Sequence, residues 1–108
     1  MSSVQLMYER ASRKFGLPYD SNNAQQSFVD AVNFALSELA DIAFWTSLSI
    51  NSISDTLDLT TSNERILAMG INYYLSDMGY KPVSEEANMF AKWRDSVKTA
   101  QMLTQQEQ

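Results

Sequence analysis

The side chains of this chain that could do acid–base chemistry are carboxylates, lysines and tyrosines, because its 108 residues include no cysteine and no histidine. Thiolate nucleophiles, disulfides, zinc–thiolate sites and histidine-dependent triads are therefore excluded. One adjacent pair of acids, Glu85–Glu86, resembles a catalytic dyad. Neighbouring helical residues point about 100° apart, and acids are favoured in a first helical turn, so we interpret the pair as a helix start capped by Ser84. We expect no catalytic residues, no metal site and no cofactor.

Composition and charge narrow the class further. The chain has 44% hydrophobic residues and a net charge of −5, which fits one folded domain whose acidity argues against tight binding to phosphate backbones. No stretch approaches the roughly 20 apolar residues of a membrane span, and no basic segment leads into an apolar one as in a secretory signal. We expect a cytoplasmic protein, or part of a particle assembled there.

Four segments have the i, i+3, i+4, i+7 apolar spacing of amphipathic helices. Gly16 and Gly79 follow the first and third of them as left-handed stops. The predicted helices are about Val4–Phe15, Ala24–Trp45, Ser62–Met78 and a fourth that begins near Ser84 with the apolar face Met89, Phe90, Trp93, Val97 and Ala100.

Two of these helices are preceded by residues typical of a capping box. Asn22 is followed three residues later by Gln25, and Thr61 by Glu64. We predict that these pairs start the second and third helices.

The segment from residue 46 to 60 is rich in Ser, Thr, Asn and Asp. Apolar residues alternate with polar ones around positions 48–50 and 57–59, which predicts two short strands joined by a turn at Asn51–Asp55. A plain loop is the alternative. A lone hairpin is marginal in water, so we expect this one to lean on the helices or pair with another chain, through Leu48, Ile50, Ile53 and Leu57.

The third helix is apolar on more than one face. Ile66, Met69 and Tyr73 lie about 120–160° from its main stripe, and a helix apolar on both sides must be buried on both sides. A chain of this size covers one face and part of another, which indicates a neighbouring subunit. Phe34 points away from the stripe of its own helix in the same manner. Gly70 costs about 1 kcal/mol relative to Ala inside a helix, so we expect a close crossing there.

The first helix ends in a cluster of cations. Arg10, Arg13 and Lys14 are three of the eight positive charges in the chain. Cations at a helix C-terminus interact favourably with the macrodipole. The alternative is contact with an acidic partner surface or with passing DNA.

The order of these parts resembles the head–tail connector (adaptor) proteins of tailed bacteriophages, which are small helical subunits beneath the portal. The resemblance covers roughly residues 3 to 103 and lies in element order and apolar placement. The segments that carry it are Phe15–Pro18, Phe28–Leu39, Leu57–Leu59, Ile71–Leu75 and the last helix with Phe90 and Trp93.

This resemblance implies a homo-oligomeric ring, usually twelvefold, in the neck of a virion assembled in the host cytoplasm. The ring would bind the portal and the next tail or neck protein, and genomic DNA would pass through it without specific binding. Residues 1–100 would form the connector domain and 101–108 a polar portal-docking tail, with contacts at Gln101, Met102, Leu103 and Gln105. The predicted ring contacts are Phe34, Ile66, Met69 and Tyr73.

The sequence therefore predicts an all-α subunit of four helices with one short polar β-hairpin or loop between helices two and three. Its predicted role is structural. The alternatives are another phage neck component, such as a stopper or tail-completion protein, a small non-viral helical interaction module, and a carboxylate-dependent cell-wall hydrolase.

Overall fold

Four helices form where the apolar spacing predicts them, which confirms the all-α four-helix fold. The computed structural model describes residues 2–18, 21–43, 45–81 and 88–106, with the backbone alone at 2 and 104–106. The elements are β1 (Ser2–Ser3), α1 (Val4–Phe15), α2 (Asn22–Ile42), β2 (Thr56–Leu57), α3 (Thr61–Asp77) and α4 (Met89–Gln106).

α3 lies at the centre and packs on both α2 and α4. The Tyr80 hydroxyl donates to Ser27 Oγ at 3.0 Å near the start of α2, and Tyr74 reaches Glu38 further along it, so α2 and α3 run antiparallel. On the other side of the core, the rings of Tyr8 and Phe28 pack edge to face with centroids 5.2 Å apart.

The residues that cap α2 and α3 each lie one position before the predicted ones. Ser21 caps α2, because its side chain accepts a hydrogen bond from the Ala24 amide at 3.2 Å. Thr60 caps α3 and accepts from the Asn63 amide at 3.1 Å. The predicted capping boxes at residues 22–25 and 61–64 are therefore wrong: Asn22 and Thr61 are already the first helical residues. The proposed Ser84 cap lies outside the described residues.

The helix ends follow their glycines more closely. Gly16 ends α1 in the left-handed conformation with φ 64°, and Gly79 follows α3 with φ 104°. α2 ends at Ile42, three residues before the predicted end at Trp45.

Residues 46–60 form a loop rather than a hairpin folded on itself. The two-residue strand β2 pairs antiparallel with β1 at the start of the chain, with Ser2 opposite Leu57. The predicted pairing of positions 57–59 with positions 48–50 is wrong, because the Asn33 side chain hydrogen-bonds to the backbone of Ile50 instead. Asn33 Nδ2 donates to the Ile50 carbonyl at 2.9 Å, and the Ile50 amide donates to Asn33 Oδ1 at 2.8 Å.

The apolar residues of this loop pack on their own chain. Ile50 and Leu57 are buried, and Leu48 and Ile53 are partly buried against the same core. The loop therefore leans on the helices, which was one of the two expected outcomes.

α4 carries the predicted apolar face with one exception. Met89, Trp93, Val97 and Ala100 are buried, but Phe90 is 51% exposed. The helix continues through Gln106, so the boundary predicted at residue 100 coincides with no break in the backbone, and Gln101, Met102, Leu103 and Gln105 belong to α4.

The close crossing predicted at Gly70 is confirmed. A Cβ placed on Gly70 would lie 2.7 Å from Trp93 Cη2 and 2.8 Å from Ala35 Cβ. Both distances are far inside van der Waals contact, and Ala35 Cβ is fixed to the backbone of α2. Hydrogen at position 70 is what lets α3 approach α2 and α4 this closely.

We predict that Gly70→Ala lowers the free energy of unfolding by about 1–2 kcal/mol, because overpacking outweighs the gain of about 1 kcal/mol in helix propensity. Chemical denaturation measures this. Ser76→Ala, at an exposed position of the same helix, should be neutral or slightly stabilising. A Gly70→Ala variant as stable as Ser76→Ala would show that the helices do not meet at this distance.

Candidate functional site

Four aromatic rings form a continuous row across α2, α3 and α4, which we call the aromatic surface: Phe34, Tyr73, Tyr74 and Phe90. The centroid distances are 5.7 Å from Phe34 to Tyr74, 5.1 Å from Tyr74 to Tyr73 and 5.4 Å from Tyr73 to Phe90. The outer two rings, Phe34 and Phe90, are 53% and 51% exposed. The two tyrosines are partly buried against the core.

A carboxylate of α2, that of Glu38, connects this row to the core. Oε2 of Glu38 accepts a hydrogen bond from the Tyr74 hydroxyl at 2.6 Å and another from Trp93 Nε1 at 2.8 Å. Hydrogen bonds to a charged acceptor are stronger than neutral ones, and these two join α2 to α3 and to α4. The indole of Trp93 is 1% exposed, so Glu38 supplies the partner that its buried N–H requires.

The ionisation of Tyr74 is shifted by the same arrangement. Burial raises the pKa of the Tyr74 phenol well above its ordinary value, and the hydrogen bond and negative charge of Glu38 raise it further. Tyr74 therefore remains a neutral hydrogen-bond donor throughout the ordinary pH range.

Charge is distributed unevenly around the aromatic surface. One row on α2, which we call the acidic stripe, has the spacing i, i+4, i+8 and i+11: Asp30, Phe34, Glu38 and Asp41. Phe34 and Asp41 are exposed, and Asp30 and Glu38 are partly buried. At the opposite edge, the guanidinium of Arg94 lies over the Phe90 ring, 5.1 Å from its centroid. The surface is thus apolar in the middle, acidic on the α2 side and basic on the α4 side.

The four predicted ring contacts do not lie on one surface. Phe34 and Tyr73 belong to the aromatic surface, and Met69 is partly buried against the core. Ile66 is only 7% exposed, so the expectation that its face of α3 lies uncovered in a single copy is wrong. The intrachain core covers that residue.

The predicted portal contacts lie at the far end of α4. Met102 is 60% exposed and Leu103 38%, while Gln101 is partly buried. The side chain of Gln105 lies outside the described ones. These residues do not join the aromatic surface, since they lie about three or four helical turns from Phe90 along α4.

Sequence reasoning missed three members of the site: Glu38, Tyr74 and Phe90. Glu38 was not singled out in the sequence, because its partner Trp93 is 55 residues away. No local spacing in the sequence points to this pairing.

The chemistry of this surface suits contact with another protein. Exposed contiguous apolar surface with aromatic residues at its centre is typical of binding sites on soluble proteins. Within the described ranges, no cluster of acids could hold a metal ion. A groove of about 220 Å³ lies between α1 and α3, with Met7, Ala11 and Ile71 in its walls, which is below the size of most small-molecule sites.

Comparisons with known proteins identify no relative of this chain. No protein-family model matches the chain, and neither a curated protein nor a solved structure gives a significant match. Across the part of the chain that is described, no helix combines the length and apolar character needed to cross a membrane.

We predict that Glu38→Ala lowers the free energy of unfolding by about 2–4 kcal/mol, because the Tyr74 hydroxyl and the Trp93 indole N–H both lose their acceptor. Denaturation monitored by tryptophan fluorescence measures this. Asp41→Ala, at an exposed position of the same helix, should change stability by less than about 0.5 kcal/mol. Equal effects of the two substitutions would contradict the supporting role of Glu38.

Proposed function

We propose that this chain is a structural subunit without catalytic activity, namely a head–tail connector (adaptor) of a tailed bacteriophage. In this role, copies of the chain form a ring below the portal. Genomic DNA passes through the ring toward the tail without specific binding. The observation that carries the proposal is the aromatic surface. Its outer rings, Phe34 and Phe90, are half exposed, although Tyr74 between them is hydrogen-bonded to Glu38.

The aromatic surface has the properties of a contact that a second protein covers. Tyr and Phe at the centre of an interface contribute large apolar area at a low cost in side-chain entropy. The hydrogen bond of Glu38 holds Tyr74 in place, and Phe34 and Tyr73 pack on its ring, so part of the surface is ordered before association. Preorganisation of this kind strengthens binding.

Two further features support the connector role over a general interaction module. The four-helix order is the one on which the resemblance rests. The net charge of −5 suits a channel wall that lets DNA slide without holding it. The exposed Met102 and Leu103 near the end of α4 are the proposed contacts with the portal.

The test is association of the purified chain with the portal protein encoded beside it, followed by pull-down and by electron microscopy of the mixture. We expect rings on the portal with the wild-type chain. Tyr73→Asp should remain helical by circular dichroism but fail to form rings, because a carboxylate cannot be buried without a partner in an apolar contact.

The matched control is Asn23→Asp, which adds the same charge at an exposed position in the first turn of α2, where acids are favoured. It should assemble like the wild type. Normal rings with Tyr73→Asp, or no binding of the wild-type chain to the portal, would contradict the proposal.

A further inference from the structure

The outer side of α1 carries an exposed row of one apolar and two basic residues. Leu6 is 52% exposed, the Arg10 side chain 64%, and Arg13 is exposed as well. Their spacing is i, i+4, i+7, which places them on one face of the helix. We call Leu6, Arg10 and Arg13 the basic stripe.

Three members of the acidic stripe on α2 repeat this spacing with the opposite charge. Phe34, Glu38 and Asp41 also lie at i, i+4, i+7. Each row begins with an exposed large apolar side chain and continues with two charged residues four and seven positions later. Two helices laid side by side in the same direction would therefore bring every member of one row opposite its complement in the other.

The two rows lie on different sides of the subunit. Arg10 Nη1 pairs with Glu64 Oε1 at 3.0 Å, so α1 lies on the Glu64 side of α3. On α2, Phe28 packs on Tyr8 of α1, whereas Phe34 follows Phe28 by six residues and points about 120° away from it round the helix. One copy can therefore present its basic stripe to one neighbour and its acidic stripe to another.

From these observations we propose that the basic stripe of one copy packs, in parallel, on the acidic stripe of a second copy. Leu6 then contacts Phe34, Arg10 faces Glu38, and Arg13 faces Asp41. The inference rests on the proposed ring and names the contact that builds it. A head-to-tail contact between different surfaces closes into a ring when its rotation allows.

The apolar and the charged parts of this contact have different roles. Exposed ion pairs contribute little affinity, so the affinity comes mainly from Leu6 packing against Phe34 and the rest of the aromatic surface. The charges set the register and disfavour other pairings. Asp30 adds a further acid on the α2 side. Arg94 lies over Phe90 at the opposite edge of the aromatic surface, where it would repel Arg10 or Arg13 of a second copy bound in a different register.

Glu38 can receive Arg10 without losing its structural contacts. Both of its described hydrogen bonds fall on Oε2, and Oε1 is the atom that an incoming guanidinium would meet. Arg10 can bridge Glu64 of its own copy and Glu38 of the next, because a guanidinium has five N–H donors.

The test is charge reversal at Arg13 and Asp41, both exposed and outside the core. Sedimentation velocity up to about 1 mM chain compares the wild type with Arg13→Glu, Asp41→Lys and the double variant. We expect each single reversal to weaken self-association at least about tenfold, because it places like charges opposite each other, and the double variant to restore most of it. Lys98→Glu and Asp95→Lys, exposed charges on α4, are the matched controls and should associate like the wild type.

Each outcome supports or overturns the proposed contact between the basic stripe and the acidic stripe. A wild-type chain that stays monomeric, single reversals that associate normally, or a double variant without rescue would overturn it. If the reversals have no effect while the chain still forms rings on the portal, this contact is wrong and the connector role stands. If the rescue succeeds but the portal is not bound, the contact stands and the connector role is wrong.

Discussion

The approach of α3 to α2 and α4 at Gly70 is the constraint on which the rest of the structure depends. Because position 70 has no Cβ, the Trp93 ring and Ala35 Cβ both lie in the space that a side chain at this position would occupy. A tryptophan buried at this depth needs an acceptor for its N–H. Glu38, on the same side of α2 as the crossing, supplies it at 2.8 Å. A packing requirement therefore fixes the position of a charged group.

The aromatic surface follows from the same constraint. The depth of Trp93 sets how far α4 enters the core, and this leaves Phe90, three residues earlier, half exposed at the rim. Tyr74 reaches the Glu38 carboxylate already held by the indole, and Tyr73 and Phe34 pack on Tyr74. The rings outside the core are thus ordered by groups inside it, which is the arrangement that a specific protein contact needs.

Local signals in the sequence predicted the four helices and the crossing at Gly70, because helix periodicity and a glycine inside a helix report on near neighbours. They failed where two candidates stood side by side: Ser21 and Asn22 are both good caps, as are Thr60 and Thr61. They also failed where the partner is remote. Asn33 hydrogen-bonds the backbone of Ile50, and the acceptor for Trp93 is 55 residues away; neither pairing leaves a trace in local spacing.

The central claim is that the aromatic surface lies open in a single copy and is covered when copies join. Hydroxyl-radical footprinting of the chain, at dilution and under assembly conditions, tests this most directly. The account predicts that Phe34, Tyr73 and Phe90 react in the dilute chain and are protected after assembly, while buried Trp93 is protected in both. Equal reactivity of the three rings before and after assembly would contradict it.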